Sequence, residues 1–97
     1  MRMMLRVVVP NDGGNKAVKE GSIGKIMGQF SEEHRPEAAY FVTEAGERTA
    51  YFFLDLKDVT QIPAMAEPFF LGLNARITFM PAMNPQDLKA GLEKIKV

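Results

Sequence analysis

Two segments rich in aromatic and β-branched residues, joined by a short turn, constrain the fold of this chain more than any other feature. Residues 38–44 and 48–56 have the composition of strands. Ala45, Gly46 and Glu47 connect them, and a short connection that contains glycine is typical of a β-hairpin. Because a lone hairpin is marginally stable at best in water, the rest of the chain must supply the layers that cover it.

The segment before the hairpin predicts one strand and one helix. Residues 4–9 form a run rich in β-branched residues that Pro10 closes. Residues 11–15 are a dense cluster of Asn, Asp and Gly, which predicts a turn, and Asn15 can cap a helix over residues 16–33. The turn lacks the lysine and the spacing of a phosphate-binding loop, so we interpret it as a plain connection.

The segment after the hairpin predicts two helices around a fourth strand. Asp58 can cap a helix over residues 59–70, which two prolines interrupt, so that an irregular turn follows a short helix. Residues 75–80 form the fourth strand. Asn84 can then cap a third helix, with proline at its first position and an acidic residue in its first turn. The apolar stripe of this helix consists of Leu88, Leu92 and Ile95.

The order of these elements defines the predicted fold class. Strand, helix, strand, strand, helix, strand and a final helix make an α+β domain of ferredoxin-like βαββαβ topology with a C-terminal helix. We expect a four-stranded antiparallel sheet with helices on one face. The 97 residues are enough for one such domain over residues 1–97 and for one hydrophobic core.

Composition excludes several classes of protein. The 12 basic and 12 acidic residues balance, whereas a nucleic-acid-binding surface needs a basic excess. The absence of cysteine excludes disulfides and thiolate metal sites. No segment approaches the roughly 20 apolar residues of a membrane span, and Arg6 interrupts the short apolar N-terminal run. The sequence therefore predicts a soluble, cytoplasmic protein that binds neither membrane nor nucleic acid.

Alternation along the strands divides the predicted sheet into two faces. The face expected to lie beneath the helices carries Leu5, Val7, Val9, Ala39, Phe41, Phe52, Leu54, Leu56, Ile77 and Phe79. The opposite face carries Met4, Arg6, Val8, Tyr40, Val42, Glu44, Thr49, Tyr51, Phe53, Asp55, Arg76, Thr78 and Met80. This second face is too apolar to stand open in water, so we expect it to join two copies in a homodimer. The alternative is a monomer whose C-terminal helix folds over it.

Part of the chain resembles a known group of proteins. Residues 36–41, the hairpin up to Asp55, and residues 62–64 and 66–70 are similar to small uncharacterised bacterial proteins of the dimeric α+β barrel superfamily. The resemblance implies that two ferredoxin-like sheets pack into one barrel with the helices outside. That superfamily includes cofactor-free monooxygenases, lactone isomerases, haem-binding enzymes and domains without a known reaction, so it implies no catalytic residue for this chain.

Two arginines are the best candidates for contact with an anionic ligand. Arg6 and Arg76 are expected on the same face of neighbouring strands, where two guanidinium groups could bind a carboxylate or phosphate bidentately. Alternatively, both arginines pair with carboxylates across the sheet or across the dimer. The acidic residues available for such pairing are Glu44, Asp55 and Glu67.

Four further residues are candidates for binding or catalysis. Tyr40 and Tyr51 lie on opposite arms of the hairpin and could orient an aromatic substrate. Alternatively, their rings could pack in an interface while their hydroxyl groups contact water. His34 could act as an acid or base, or it could complement the negative end of the first helix. Glu67 lies in a predicted bend beside aromatic residues, where it could contact a ligand or accept hydrogen bonds from backbone amides freed by the prolines.

Three functions are compatible with these patterns. The first is a homodimeric domain that binds a small anionic or aromatic molecule. The second is a cofactor-independent enzyme similar to a monooxygenase or an isomerase, and the third is a purely structural dimerisation domain. No metal or cofactor is predicted, because a lone histidine without cysteine gives little support for zinc and no feature supports haem ligation.

Overall fold

A computed structural model describes all 97 residues as a four-stranded antiparallel sheet with helices packed on one of its faces. The elements are β1 (Arg2–Val9), α1 (Asn11–Glu20), α2 (Ser22–His34), β2 (Ala38–Glu44), β3 (Glu47–Asp55), α3 (Ile62–Leu73), β4 (Arg76–Pro81) and α4 (Pro85–Leu92), with one 3-10 turn at Val59–Gln61. The strand order is β2-β3-β1-β4, and every neighbouring pair is antiparallel. The α+β fold of ferredoxin-like topology that the sequence predicts is therefore confirmed.

The hairpin pairs without a bulge, which fixes the two faces of the sheet. Tyr40 lies directly opposite Tyr51, and the pairing continues up to a two-residue turn at Ala45 and Gly46. Both turn residues have positive φ, 51° and 78°, as a type I′ turn requires. The division of strand residues into a helix-facing side and a helix-free side is as the alternation predicts.

The core lies between the sheet and the helices. The central strands contribute Leu5, Val7, Val9, Ala50, Phe52 and Leu54, and the helices contribute Phe30, Met65, Phe69 and Leu73. The ring centroid of Phe30 lies 4.6 Å from that of Phe52 and 5.0 Å from that of Phe69, both at a tilt. Tilted rings at these separations attract each other, so the three aromatic side chains tie α2 and α3 to the sheet.

Two residues of β2 that the sequence places beneath the helices, Ala39 and Phe41, are not covered. Phe41 has the predicted orientation towards the helices, but it is 60% exposed. It belongs to β2, which is an edge strand, and its ring meets Phe52 edge-on at a centroid distance of 5.9 Å. An apolar opening remains above β2 at this point.

The predicted turn at residues 11–15 is wrong, because α1 begins directly after Pro10. The two glycines of this segment serve close packing instead. A Cβ atom on Gly14 would lie 2.8 Å from Nη1 of Arg48 and 3.1 Å from Cγ1 of Val9. Glycine at this position therefore lets the first turn of the helix approach the sheet.

The single helix predicted over residues 16–33 is two helices. Gly21 separates α1 from α2 and has φ 75°, a left-handed conformation that glycine adopts at little cost. Its N–H donates to the carbonyl of Val18 at 3.2 Å and closes α1. A glycine that weakens a helical pattern thus ends one helix and begins the next.

The two prolines do not shorten the next helix, so the predicted bend around Glu67 is wrong. Pro63 lies in the first turn of α3, where its missing N–H costs no hydrogen bond, and Pro68 lies within the helix. The helix continues because one side of it is anchored in the core. The buried residues of α3 are Met65, Ala66, Phe69 and Leu73. Tertiary packing outweighs the local preference of Pro68 against helix.

The two predicted helix caps after the hairpin are confirmed. Asp58 accepts a hydrogen bond from the N–H of Thr60 at 2.9 Å, although the cap begins a 3-10 turn that leads into α3. Asn84 accepts one from the N–H of Asp87 at 2.8 Å and begins α4. None of the helices combines the length and apolar composition needed to cross a lipid bilayer.

Residues 82–97, which we call the C-terminal arm, do not cover the sheet. No residue of α4 is buried, and Leu88 and Leu92 are exposed. The molecule measures 54 × 28 × 18 Å along its principal axes, so it is long for its width. The monomeric alternative, in which the C-terminal helix folds over the helix-free face, is not the arrangement in this structure.

Candidate functional site

The helix-free face of the sheet carries apolar side chains that its own chain leaves uncovered. Tyr40, Val42 and Met80 are exposed on the two edge strands. Met4 and Phe53 lie opposite each other on the two central strands and are half-buried. The face therefore presents apolar area across its whole width.

Arg6, Tyr51 and Glu44 form a closed hydrogen-bonded cluster on this face. Arg6 and Tyr51 lie opposite each other on β1 and β3, and Nε of Arg6 donates to Oη of Tyr51 at 3.1 Å. The Tyr51 hydroxyl and Nη2 of Arg6 each donate to one carboxylate oxygen of Glu44. The hydrogen bond from Tyr51, and next that from Arg6, holds the pKa of Glu44 below its usual value.

Both arginines predicted to bind an anion lie on this face, and both pair with carboxylates of their own chain. Arg76 lies opposite Val8 in the β1–β4 pair, two residues along the strands from Arg6, and its Nη2 contacts Oε1 of Glu47 at 2.6 Å. The partner of Arg6 is Glu44, one of the acidic residues named for that role from the sequence. Contact of these arginines with a ligand stays a prediction.

Three further ion pairs lie at the Met1 end of β1. Nε of Arg2 contacts Glu37, and its Nη1 contacts Asp87 at the start of α4, both at 2.7 Å. The N-terminal ammonium contacts Asp55 at 2.8 Å, and this hydrogen bond lowers the pKa of that carboxyl group.

The other sequence candidates lie on different sides of the molecule. Tyr40 is exposed opposite Tyr51 on the helix-free face. His34 is the last residue of α2, where its ring packs against Phe30 at a centroid distance of 4.8 Å. Glu67 is exposed in the middle of α3. The structure thus brings the tyrosines and arginines together on one face and leaves His34 and Glu67 with the helices.

A cavity of about 370 Å³ lies on the helix side of the sheet, between α2 and the turn end of the hairpin. Ile23 and Met27 line it from α2. Phe41 and Ala50 line it from β2 and β3, so it is the opening above the exposed ring of Phe41. Most of the lining is apolar, and Arg48 supplies the one charged side chain.

Arg48 differs from the other partly buried arginines in its partners. Arg2 and Arg6 each pair with at least one carboxylate, whereas Arg48 has no carboxylate oxygen within 4.0 Å. Its Nη2 donates to the amide oxygen of Asn15 at 3.1 Å. Arg48 therefore carries a positive charge into the cavity wall without a negative partner.

Sequence reasoning missed Arg48, although one signal for it was present. On β3, alternation places Arg48 on the same side as Ala50 and Phe52, so a charged residue stands in an otherwise apolar series. The cavity itself depends on how far α2 lies from the edge strand, which no periodicity in the sequence reports.

Comparisons with protein families, with curated proteins and with solved structures found no match. The fold assignment therefore rests on the order of the elements and strands. Two features of the chain itself bear on its function, the helix-free face and the cavity beside Arg48.

Proposed function

We propose that this chain is a homodimeric domain in which the helix-free faces of two copies pack together, as in the barrel superfamily that its sequence resembles. We further propose that the assembled domain binds a small anionic or aromatic molecule. The observation that carries the proposal is a sheet face that is apolar, uncovered and internally neutralised.

The apolar character of the face supports assembly because uncovered apolar surface gains free energy when it leaves water. Exposed side chains occur on both edge strands, including Val42 and Met80. Large contiguous apolar patches on a protein surface mark interaction sites. A second copy presents the same apolar surface, so each face can cover the other.

The charges of the face support assembly because they are already paired. Arg6 pairs with Glu44, and Arg76 pairs with Glu47. Burying an unpaired charge is strongly unfavourable, and these pairs do not require a charge from the partner. The helix-free faces of two copies can therefore pack together without burying an unpaired charge.

The C-terminal arm supplies area that the sheet alone lacks. Four strands about 4.8 Å apart and about seven residues long span a projected area of about 450 Å². A stable interface buries about 800 Å² per partner. The arm exposes Met83, Leu88, Leu92 and Ile95. We propose that the arm of each copy packs on the other copy.

The enzymatic alternative has less support from this face. An acid–base or nucleophilic role needs a side chain that is free to exchange a proton with substrate. The hydroxyl of Tyr51 and the guanidinium of Arg6 are both engaged with Glu44. A binding function needs no such free group.

The oligomeric state of two matched variants tests the assembly. Val42 is 43% exposed on the helix-free face, and Val18 is 49% exposed on α1, so lysine at either position meets a similar environment in a single copy. The wild-type chain should show a light-scattering mass of twice 10.8 kDa. Val42→Lys should raise the dimer dissociation constant at least about tenfold, because it places a charge in the interface.

Val18→Lys is the control and should leave the dissociation constant unchanged. A single-copy mass for the wild-type chain at millimolar concentration would contradict the assembly. Equal dissociation constants for Val42→Lys and the wild-type chain would place the interface on another surface.

A further inference from the structure

We propose that the cavity between α2 and the hairpin binds a small molecule with an apolar body and a carboxylate or similar anionic group, and that Arg48 binds the anion. The inference deepens the ligand-binding half of the proposed function and rests on it. It does not depend on the dimer, because Arg48, Ile23 and Met27 lie on the helix side of one copy. Val42 of the helix-free face also borders the cavity.

The size and lining of the cavity fit a small organic molecule. Its volume of about 370 Å³ lies in the range of small-molecule sites, which are mostly apolar with a few placed polar groups. Ile23 and Met27 face Phe41 across it. An aromatic or branched apolar body would cover the exposed ring of Phe41.

The charge of Arg48 selects an anion at one end of the site. A guanidinium group carries five N–H donors in a planar fork, and the side chain of Asn15 accepts from one nitrogen of Arg48. The remaining donors can form a bidentate pair with a carboxylate. Because no carboxylate of the chain lies within 4.0 Å of Arg48, a ligand anion would not displace an existing ion pair.

Gly24 lines the cavity and, because it lacks a side chain, does not fill it. It lies on α2 among the lining residues, and a Cβ atom built on it would have no neighbour within 4 Å. Gly28 lies one turn further along the same helix, also without a neighbour within 4 Å, but it does not line the cavity. Leucine at Gly24 would fill space that the ligand needs, whereas leucine at Gly28 would not.

Calorimetric titration with two ligands of the same shape tests the site. The probes are 2-naphthoate, which is an anion, and 2-naphthalenemethanol, which is neutral. The wild-type chain should bind 2-naphthoate at least about tenfold more tightly, since charge-assisted hydrogen bonds are the stronger ones. Arg48→Gln should remove that preference while 2-naphthalenemethanol binds as before.

The glycine variants provide the matched pair. Gly24→Leu should weaken the binding of both probes at least about tenfold, and Gly28→Leu should bind them as the wild-type chain does. Circular dichroism checks that each variant is folded. Amide chemical shifts of the wild-type chain should change on 2-naphthoate addition at Ile23, Met27 and Phe41.

Three results would overturn the site. They are the absence of 2-naphthoate binding up to about 1 mM, unchanged binding by Gly24→Leu, and shift changes confined to the helix-free face. The light-scattering mass of the same samples separates the two proposals. Loss of the site with an intact dimer refutes the cavity inference alone, and 2-naphthoate binding by a single-copy species refutes the assembly alone.

Discussion

Ala45 has a backbone conformation that residues with a Cβ atom rarely adopt. Its φ of 51° places a Cβ-bearing residue in the left-handed region, which costs roughly 1–2 kcal/mol for L-residues in general and less for asparagine. The type I′ turn prefers asparagine before glycine, and here Gly46 already follows. The turn of the β2–β3 hairpin is therefore strained at Ala45.

We predict that Ala45→Asn stabilises the protein by about 0.5–1 kcal/mol, because asparagine tolerates positive φ. Urea unfolding followed by circular dichroism measures the change. Ala45→Val is the opposite control and should destabilise, since a β-branched side chain suits positive φ least. An Ala45→Asn midpoint at or below that of the wild-type chain would contradict the turn conformation.

Glu44 makes the stability of the fold sensitive to acid. Its pKa is lowered in the folded state, relative to an unfolded chain, by hydrogen bonds from Tyr51 and then from Arg6. Protonation therefore favours the unfolded state. The stabilisation is present above the unfolded pKa and is lost as pH falls through the folded pKa.

We predict that Glu44→Gln reduces the loss of stability between pH 7 and pH 3, because it removes a group that titrates differently in the two states. Urea midpoints at the two pH values give the comparison. Glu32 is exposed on α2 and forms no ion pair within 4.0 Å, so Glu32→Gln is the control. The same pH dependence in Glu44→Gln and the wild-type chain would be evidence against the cluster.

At the scale of elements, α4 is the helix that buries no residue in a single copy. It has a well-formed cap at Asn84 and an apolar stripe, yet none of its residues is buried. A helix as short as eight residues is marginal in water without packing on an apolar face. The proposed dimer gives the stripe a surface to pack on.

We predict that the double variant Leu88→Gln, Leu92→Gln raises the dimer dissociation constant at least about tenfold, since it removes two apolar contacts. Sedimentation equilibrium measures this constant. The double variant Gln86→Ala, Ala90→Gln changes α4 away from the stripe and should leave the constant unchanged. If both variants dimerise as the wild-type chain does, the arm does not contribute to the interface.

The sequence predicts the strands better than the helices for a physical reason. Alternation with period two assigns each strand residue to a face, and the pairing of Tyr40 with Tyr51 keeps that assignment across the hairpin. Helix boundaries depend on tertiary packing instead. The glycine-rich residues 11–15 form a helical turn against the sheet, and Pro68 stays within a helix that the core anchors.

The two candidate surfaces also differ in how far the sequence predicts them. The helix-free face and its arginines are predictable, because they follow from strand alternation and strand order. The cavity beside Arg48 is not, since it arises where α2 leaves Phe41 uncovered on an edge strand. Distances between helix and sheet are set by the whole core rather than by any local pattern.

At the scale of the whole molecule, the sheet separates two surfaces of different composition. On one side, helices close a core and leave a cavity with one unpaired guanidinium group. On the other, paired charges lie among uncovered apolar side chains, and an arm extends from the edge strand β4. The proposed assembly through one side would leave the other side free for the proposed small-molecule site.

The most direct test of the assembly is an isotope-filtered nuclear Overhauser measurement on a mixture of labelled and unlabelled chains, which detects contacts between copies only. We predict contacts between copies to the methyl groups of Met4, Val42 and Met80, all on the helix-free face, and none to Val18 on α1. Contacts to Val18 without contacts to Val42, or a spectrum with no contacts between copies at millimolar concentration, would contradict the proposed dimer.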